Sequence, residues 1–191
     1  EGTVRRADRR PGDQLVVAGI PGSAAYDIES LAVAGLNPTL DGSPAPNIEW
    51  TLKVGDLNPD SLPRNSSWRM VWTSDGTTYF VDMNTFEPTG VKFEYGALDA
   101  NGIFQTQGAA DKGSFTPDGT IVISIAASKV GSPAAGATLT AINADTVLLV
   151  GGAGTGLLAN IDTTSEGTYT LRACGVVSGV PNAVNDTATT P

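Results

Sequence analysis

The chain has 191 residues, of which 40% are hydrophobic, and a formal net charge of -9 at pH 7. This length and apolar fraction suffice for one domain with a buried core, and the negative charge disfavours nucleic acids and anionic membranes as partners. Histidine is absent and Cys174 is the single cysteine, so histidine-based triads and zinc sites made of cysteine and histidine ligands are excluded.

Residues 1–12 are predicted to form an N-terminal arm, because Arg5, Arg6, Arg9 and Arg10 give this stretch a high density of charge. The chain starts without an initiator methionine or a signal-peptide pattern, so we expect a mature or excised fragment. No apolar run reaches the roughly 18 residues of a membrane-spanning helix, and membrane insertion is not predicted.

Four acidic residues near the start of the chain form the best candidate for a binding site. Asp8 and Asp13 flank an Arg-Arg-Pro-Gly turn, and Asp27 and Glu29 stand at the head of the first predicted strand. Calcium prefers about six to eight oxygen ligands, which carboxylates and the carbonyl groups of a Gly-Pro loop can supply. We therefore predict a Ca²⁺ site at Asp8, Asp13, Asp27 and Glu29. The alternative is that they are solvated loop carboxylates, partly neutralised by the adjacent arginines.

Short strands follow at fairly regular spacing. Apolar and polar residues alternate from Ile48 to Val54 and from Trp68 to Trp72, which is the period of half-buried strands. Further strands are predicted at 28–33, 79–81, 91–95, 103–106, 120–125, 147–150 and 168–174. One helical turn is predicted at 126–130.

Two connections carry the sequences of hairpin turns: Asp75-Gly76 before the 79–81 strand, and Pro117-Asp118-Gly119 before the 120–125 strand. No helical pattern of ten residues separates the strands. We predict an all-β fold, an antiparallel β-sandwich of jelly-roll type with at most one or two short helical turns. The single sandwich domain is expected to span residues 13–176, followed by a polar linker or edge strand at 177–191.

Trp50, Trp68 and Trp72 allow two interpretations. Their flat faces could stack on sugars, but tryptophans in alternating strands usually belong to the core. We predict that all three are core residues.

Five further acids could supply the carboxylate pair of a glycosidase, which requires only two such groups at a defined separation. They are Asp82, Glu87, Glu94, Asp99 and Asp111. Nothing in the sequence selects a pair among them, so hydrolysis stays an alternative.

Several segments resemble an accessory β-sandwich domain found in secreted bacterial proteases and surface proteins. The matching segments are 26–31, 51–57, 68–72, 79–83, 93–96, 129–133 and 154–158. More remotely, the order Asp8, Gly12-Asp13 and Asp27-Ile28 is similar to the opening of DOMON-like and family 9 carbohydrate-binding sandwiches. These resemblances imply an extracellular module that binds sugars or calcium and carries no catalytic residue. Some DOMON-like domains bind haem through Met and His, and without histidine no haem is expected here.

The sequence thus favours a non-catalytic binding or adhesion module of a larger secreted or cell-surface bacterial protein, stabilised by calcium. A glycan or a surface protein is the expected partner, and no nucleic acid, haem or zinc is expected. The alternatives are a structural subunit that self-associates into a filament or surface layer through edge strands or termini, and a carboxylate-dependent glycosidase.

Overall fold

The computed structural model describes residues 2–4, 23–37, 47–86, 90–150 and 157–171. These residues form two antiparallel β-sheets. The strands are β1 (Gly2–Val4), β2 (Ile28–Asn37), β3 (Asn47–Val54), β4 (Ser66–Ser74), β5 (Thr77–Asn84), β6 (Lys92–Leu98), β7 (Phe104–Ala109), β8 (Lys112–Phe115), β9 (Thr120–Ala126), β10 (Thr138–Val150), β11 (Leu157–Thr163) and β12 (Gly167–Thr170). Short 3-10 helices lie at Ser23–Tyr26, Pro59–Ser61 and Ala127–Lys129. Within these ranges no helix is long and apolar enough to cross a membrane.

The small sheet has the order β1-β2-β3-β9-β8, and the large sheet has the order β11-β10-β4-β5-β6-β7. The long strand β10 pairs with β12 along its first part and with β11 along its last part. The two sheets pack face to face, and the predicted all-β antiparallel sandwich is confirmed.

Strands that are far apart in the sequence become neighbours in both sheets. The chain crosses between the sheets after β3, after β7 and after β9. Strand β3 pairs with β9 in one sheet, and β4 pairs with β10 in the other.

Both predicted hairpin turns are present. Asp75 and Gly76 have φ values of 48° and 75°, and a two-residue turn with both φ values positive matches the twist of the strands it joins. Gly119, with φ 88°, closes the β8–β9 hairpin, where a Cβ atom would collide with the carbonyl oxygen of Val54. These turns set the register of β4 with β5 and of β8 with β9.

The core lies between the inner faces of the sheets and contains all three tryptophans, so the prediction for them is confirmed. The rings of Trp50 and Trp72 stack with their centroids 4.5 Å apart. At one end, the Trp68 indole nitrogen donates to the Ala25 carbonyl oxygen (2.6 Å), and Thr146 Oγ1 donates to the Tyr26 carbonyl oxygen (2.9 Å). The 3-10 segment Ser23–Tyr26 is thereby tied to the large sheet.

Candidate binding site on the outer face of the large sheet

Four charged residues from four adjacent strands lie in one line on the outer face of the large sheet. Arg69 on β4 is directly opposite Asp145 on β10 and Asp82 on β5, and Asp82 is directly opposite Glu94 on β6. Directly opposed residues share a face of the sheet, and the alternate residues Trp68 and Met70 point into the core. We call Asp145, Arg69, Asp82 and Glu94 the charged row.

The first two members of the charged row form a complete ion pair. Arg69 Nε donates to Asp145 Oδ1 (2.8 Å), and Arg69 Nη2 donates to Asp145 Oδ2 (2.9 Å). The side chains are 11% and 12% exposed, respectively, and the guanidinium carbon also lies 4.1 Å from the centre of the Phe104 ring. Because this bidentate contact uses both carboxylate oxygens, Arg69 and Asp145 neutralise each other.

The aromatic part of this face depends on a glycine. Phe80 and Phe104 meet edge to face, with ring centroids 5.2 Å apart. Phe80 lies on β5 and Phe104 on β7, so the contact passes over Gly96 on β6. A Cβ atom at Gly96 would collide with the Phe80 ring and with the carbonyl oxygen of Gln105.

Asp82 is a buried acid of the charged row, and the residue is only 5% exposed. Its Oδ2 atom accepts hydrogen bonds from Ser67 Oγ (2.9 Å) and Asn84 Nδ2 (3.2 Å). The same Asn84 nitrogen donates to Glu94 Oε2 (2.8 Å). Asp82 Oδ1 is buried and has no hydrogen-bond partner among the described residues.

The environment of Asp82 makes its carboxyl group a weaker acid than it is in water. Burial raises the pKa of Asp82 from an ordinary value of 3.8 to about 6, and the nearby Glu94 carboxylate also raises it. The hydrogen bonds from Ser67 and Asn84 lower this pKa, as does the charge of Arg69, but they do not compensate for the loss of water.

The structure places two of the four predicted calcium ligands. Asp27 precedes β2, and its Oδ1 atom is buried without a hydrogen-bond partner in the described part of the chain. Glu29 is exposed, and one of its carboxylate oxygens lies 3.7 Å from Lys53 Nζ. Asp8 and Asp13 lie outside the described residues, so the complete site stays a prediction.

The side chains that the structure describes include no group of three or more acids or cysteines placed to hold a metal ion. A cation bound in this part of the molecule would therefore need amide, hydroxyl, carbonyl or water oxygens as well as carboxylates.

Of the five acids considered for a glycosidase, the structure brings Asp82 and Glu94 together. Asp111 is instead 2.7 Å from Lys129 Nζ, and Asp99 accepts hydrogen bonds from the Asn101 and Ile103 backbones. Glu87 lies outside the described residues.

Sequence reasoning identified Asp82 and Glu94 as acids but missed the charged row. One signal was available, since Arg69 stands between the core residues Trp68 and Met70 and must therefore face outwards. Its partner Asp145 is 76 positions away, and no local pattern connects the two.

Comparisons with known proteins found no matching family model, curated protein or solved structure. The resemblances to accessory sandwich domains, DOMON-like domains and family 9 carbohydrate-binding modules therefore stay predictions.

Proposed function

We propose that the chain is a non-catalytic, calcium-stabilised binding or adhesion module of a larger secreted or cell-surface bacterial protein. The observation that carries this proposal is the buried Oδ1 atom of Asp27, which lacks a hydrogen-bond partner among the described residues. A buried carboxylate oxygen without a donor is costly, and a bound cation would remove that cost. Calcium sites of extracellular modules have dissociation constants of roughly 10⁻⁴ to 10⁻³ M, which suits a site completed by loop oxygens.

The geometry of Asp82 and Glu94 supports binding over glycoside hydrolysis. A glycosidase holds the scissile bond between two carboxyl groups that lie about 5 to 9.5 Å apart. Here the amide of Asn84 contacts both carboxylates, and Asp82 is almost fully buried. A sugar ring could not enter between them without displacing Asn84.

Calorimetric titration of calcium chloride into the full chain tests the calcium part, together with melting curves in calcium and in chelator. We expect heat of binding and a higher melting temperature in calcium. Asp27→Asn should weaken binding, whereas Asp56→Asn, at an exposed acid outside the predicted cluster, should not. Absence of heat combined with equal melting temperatures would remove calcium from the proposal.

An array of immobilised glycans and purified surface proteins, read with calcium and with chelator, tests the binding part. The wild-type chain should be retained by at least one class of ligand and should release no reducing sugar. Sugar release that Glu94→Gln abolishes and Glu49→Gln leaves intact would establish a glycosidase instead.

A structural subunit is the second candidate, and the edge strands β7 and β8 favour it. Most side chains of both strands are exposed, and the two edges follow each other directly in the chain. Exposed edges offer backbone groups to a neighbouring strand. Sedimentation velocity over a wide concentration range should then show growing assemblies, and a single monomeric boundary would exclude this candidate.

A further inference from the structure

The strands at the two edges of the large sheet carry little charge. Strand β7 contains no charged residue. The one charged residue of β11, Asp162, is only 6% exposed and accepts a hydrogen bond from the Ile28 backbone nitrogen. By contrast, β8 at the edge of the small sheet begins with Lys112. Charged side chains, especially lysine, commonly protect edge strands from pairing with another chain, and β7 and β11 lack an outward charge of this kind.

Exposed apolar side chains accompany the same two edges. Four large apolar residues are exposed in the described part of the chain, and three of them lie there. Ile103, 56% exposed, comes directly before β7. Val150 and Leu158, 54% and 53% exposed, lie where β10 pairs with β11. Pairing of β7 with β11 would remove apolar surface from water without opposing like charges.

Strand β7 has backbone groups that point away from the sheet. The Asp99 backbone nitrogen donates to the Ile103 carbonyl oxygen (2.9 Å), so the Ile103 backbone faces β6. Because backbone direction alternates along an antiparallel strand, the Thr106 backbone faces away from β6. Gln105 is exposed although the directly opposed Ala97 is buried, so the small sheet does not cover β7. A further strand can therefore approach this edge.

Strand β11 has the same property at the opposite edge. The Leu149 backbone nitrogen donates to the Asn65 carbonyl oxygen (2.7 Å), on the side of β10 away from β11. Leu158 is directly opposite Leu149, so the Leu158 backbone faces away from β10. Among the described residues, β7 and β11 each pair with one strand only.

The topology makes the two edges complementary. The strands in the order β11-β10-β4-β5-β6-β7 are each antiparallel to the next. Because their number is even, β7 and β11 run in opposite directions. A second copy placed beside β7 in the same orientation therefore presents its β11 antiparallel to β7.

We propose that β7 of one copy of this chain pairs with β11 of a second copy, so that the large sheet continues from molecule to molecule. The contact joins two different edges, so it can repeat along a filament. This inference deepens the second candidate function, the structural subunit, and rests on it. It is independent of calcium binding.

Proline variants at the two edges test the contact. Thr106→Pro and Leu158→Pro each remove one outward backbone N–H group and leave the bonds to the neighbouring strand in place. Sedimentation velocity should show each variant as a monomer at concentrations where the wild type assembles. An equimolar mixture should form dimers and nothing larger, because one intact β7 and one intact β11 remain. Thr106→Val and Leu158→Ile, which keep the N–H groups, are the matched controls and should assemble like the wild type.

Cysteine variants test the same contact without proline, in case a proline variant loses its β-sheet circular dichroism. Thr106→Cys and Leu158→Cys are made in chains that also carry Cys174→Ser. Both positions lie on the outer face of the large sheet. Air oxidation should link the two variants to each other when they are mixed, and should link neither variant to itself.

The outcomes separate this inference from the candidate function. If Leu158→Pro alone formed dimers, or Thr106→Cys linked to itself, two β7 strands would be pairing and the contact with β11 would be refuted. Assemblies of wild-type size in both proline variants would also refute it, but the structural subunit would stand. A wild type that is monomeric at every concentration would remove both.

Discussion

Asp82 lies on the outer face of a sheet, yet its side chain is as buried as many in the core. Two opposing effects act on it. Hydrogen bonds from Ser67 and Asn84 stabilise the carboxylate, whereas burial and the neighbouring Glu94 destabilise it. The pKa of Asp82 is raised, so the unfavourable effects are the larger ones.

This balance predicts a pH dependence of stability in the presence of chelator. The folded state holds the Asp82 proton up to about pH 6, whereas the unfolded chain loses it near 3.8. The contribution of Asp82 to the free energy of unfolding is therefore fully present below pH 3.8 and is lost as the pH rises to about 6. The loss should amount to about 2 to 3 kcal/mol.

Asp82→Asn should abolish this loss, because an amide does not ionise, so the variant should unfold at a higher denaturant concentration than the wild type at neutral pH. Below pH 3.8 the advantage should disappear. Denaturant titrations across this range measure the effect, with Asp60→Asn, at an exposed acid, as the control. If the stability of the wild type and that of Asp82→Asn changed with pH in parallel, the raised pKa of Asp82 would be contradicted.

Replacement of Gly96 tests how closely β6 and β7 approach each other. A Cβ atom there would collide with the backbone oxygen of Gln105, which cannot move aside as a side chain could. Gly96→Ala should lower the free energy of unfolding by about 1 to 3 kcal/mol.

Gly108→Ala is the matched control on β7, because its Cβ would lie 3.3 Å from the Tyr95 ring, a contact that a small shift relieves. Equal losses in the two variants would show that β6 and β7 are not as close at Gly96 as the structure indicates.

At the scale of the elements, the ion pair between Arg69 and Asp145 joins β4 to β10. Arg69→Leu would leave the buried Asp145 carboxylate without its partner, and we expect it to lower the free energy of unfolding by about 3 to 5 kcal/mol.

The double variant Arg69→Leu with Asp145→Leu should recover most of this loss, because no unpaired charge remains. A double-mutant cycle in denaturant measures the coupling. Additive losses would mean that the two side chains stabilise the large sheet independently of each other.

The elements themselves were largely predictable. Alternation located the strands around Trp50 and Trp72, and the Asp75-Gly76 pair located a tight turn, because both signals depend on neighbours in sequence. The charged row was not predictable, since it joins residues from four strands. The choice of strand partners depends on packing across the whole sandwich, which local patterns do not encode.

At the scale of the whole molecule, Trp50, Trp68 and Trp72 report on one shared core, since all three are fully buried between the sheets. We expect blue-shifted emission, slow quenching by acrylamide, and fluorescence and circular dichroism unfolding curves that coincide. Fluorescence that changes before the dichroism would show that one side of the sandwich opens independently.

The crossed pairing of β3 with β9 and of β4 with β10 has a consequence for biosynthesis. A ribosome completes β3 and β4 seconds before β9 and β10 emerge, and both early strands end up in the middle of a sheet. The large apolar side chains of Trp50, Trp68 and Trp72 therefore stay exposed to solvent until the strands from late in the chain have been synthesised. Folding should be slow for a domain of this size, and the nascent chain should depend on chaperones during that interval.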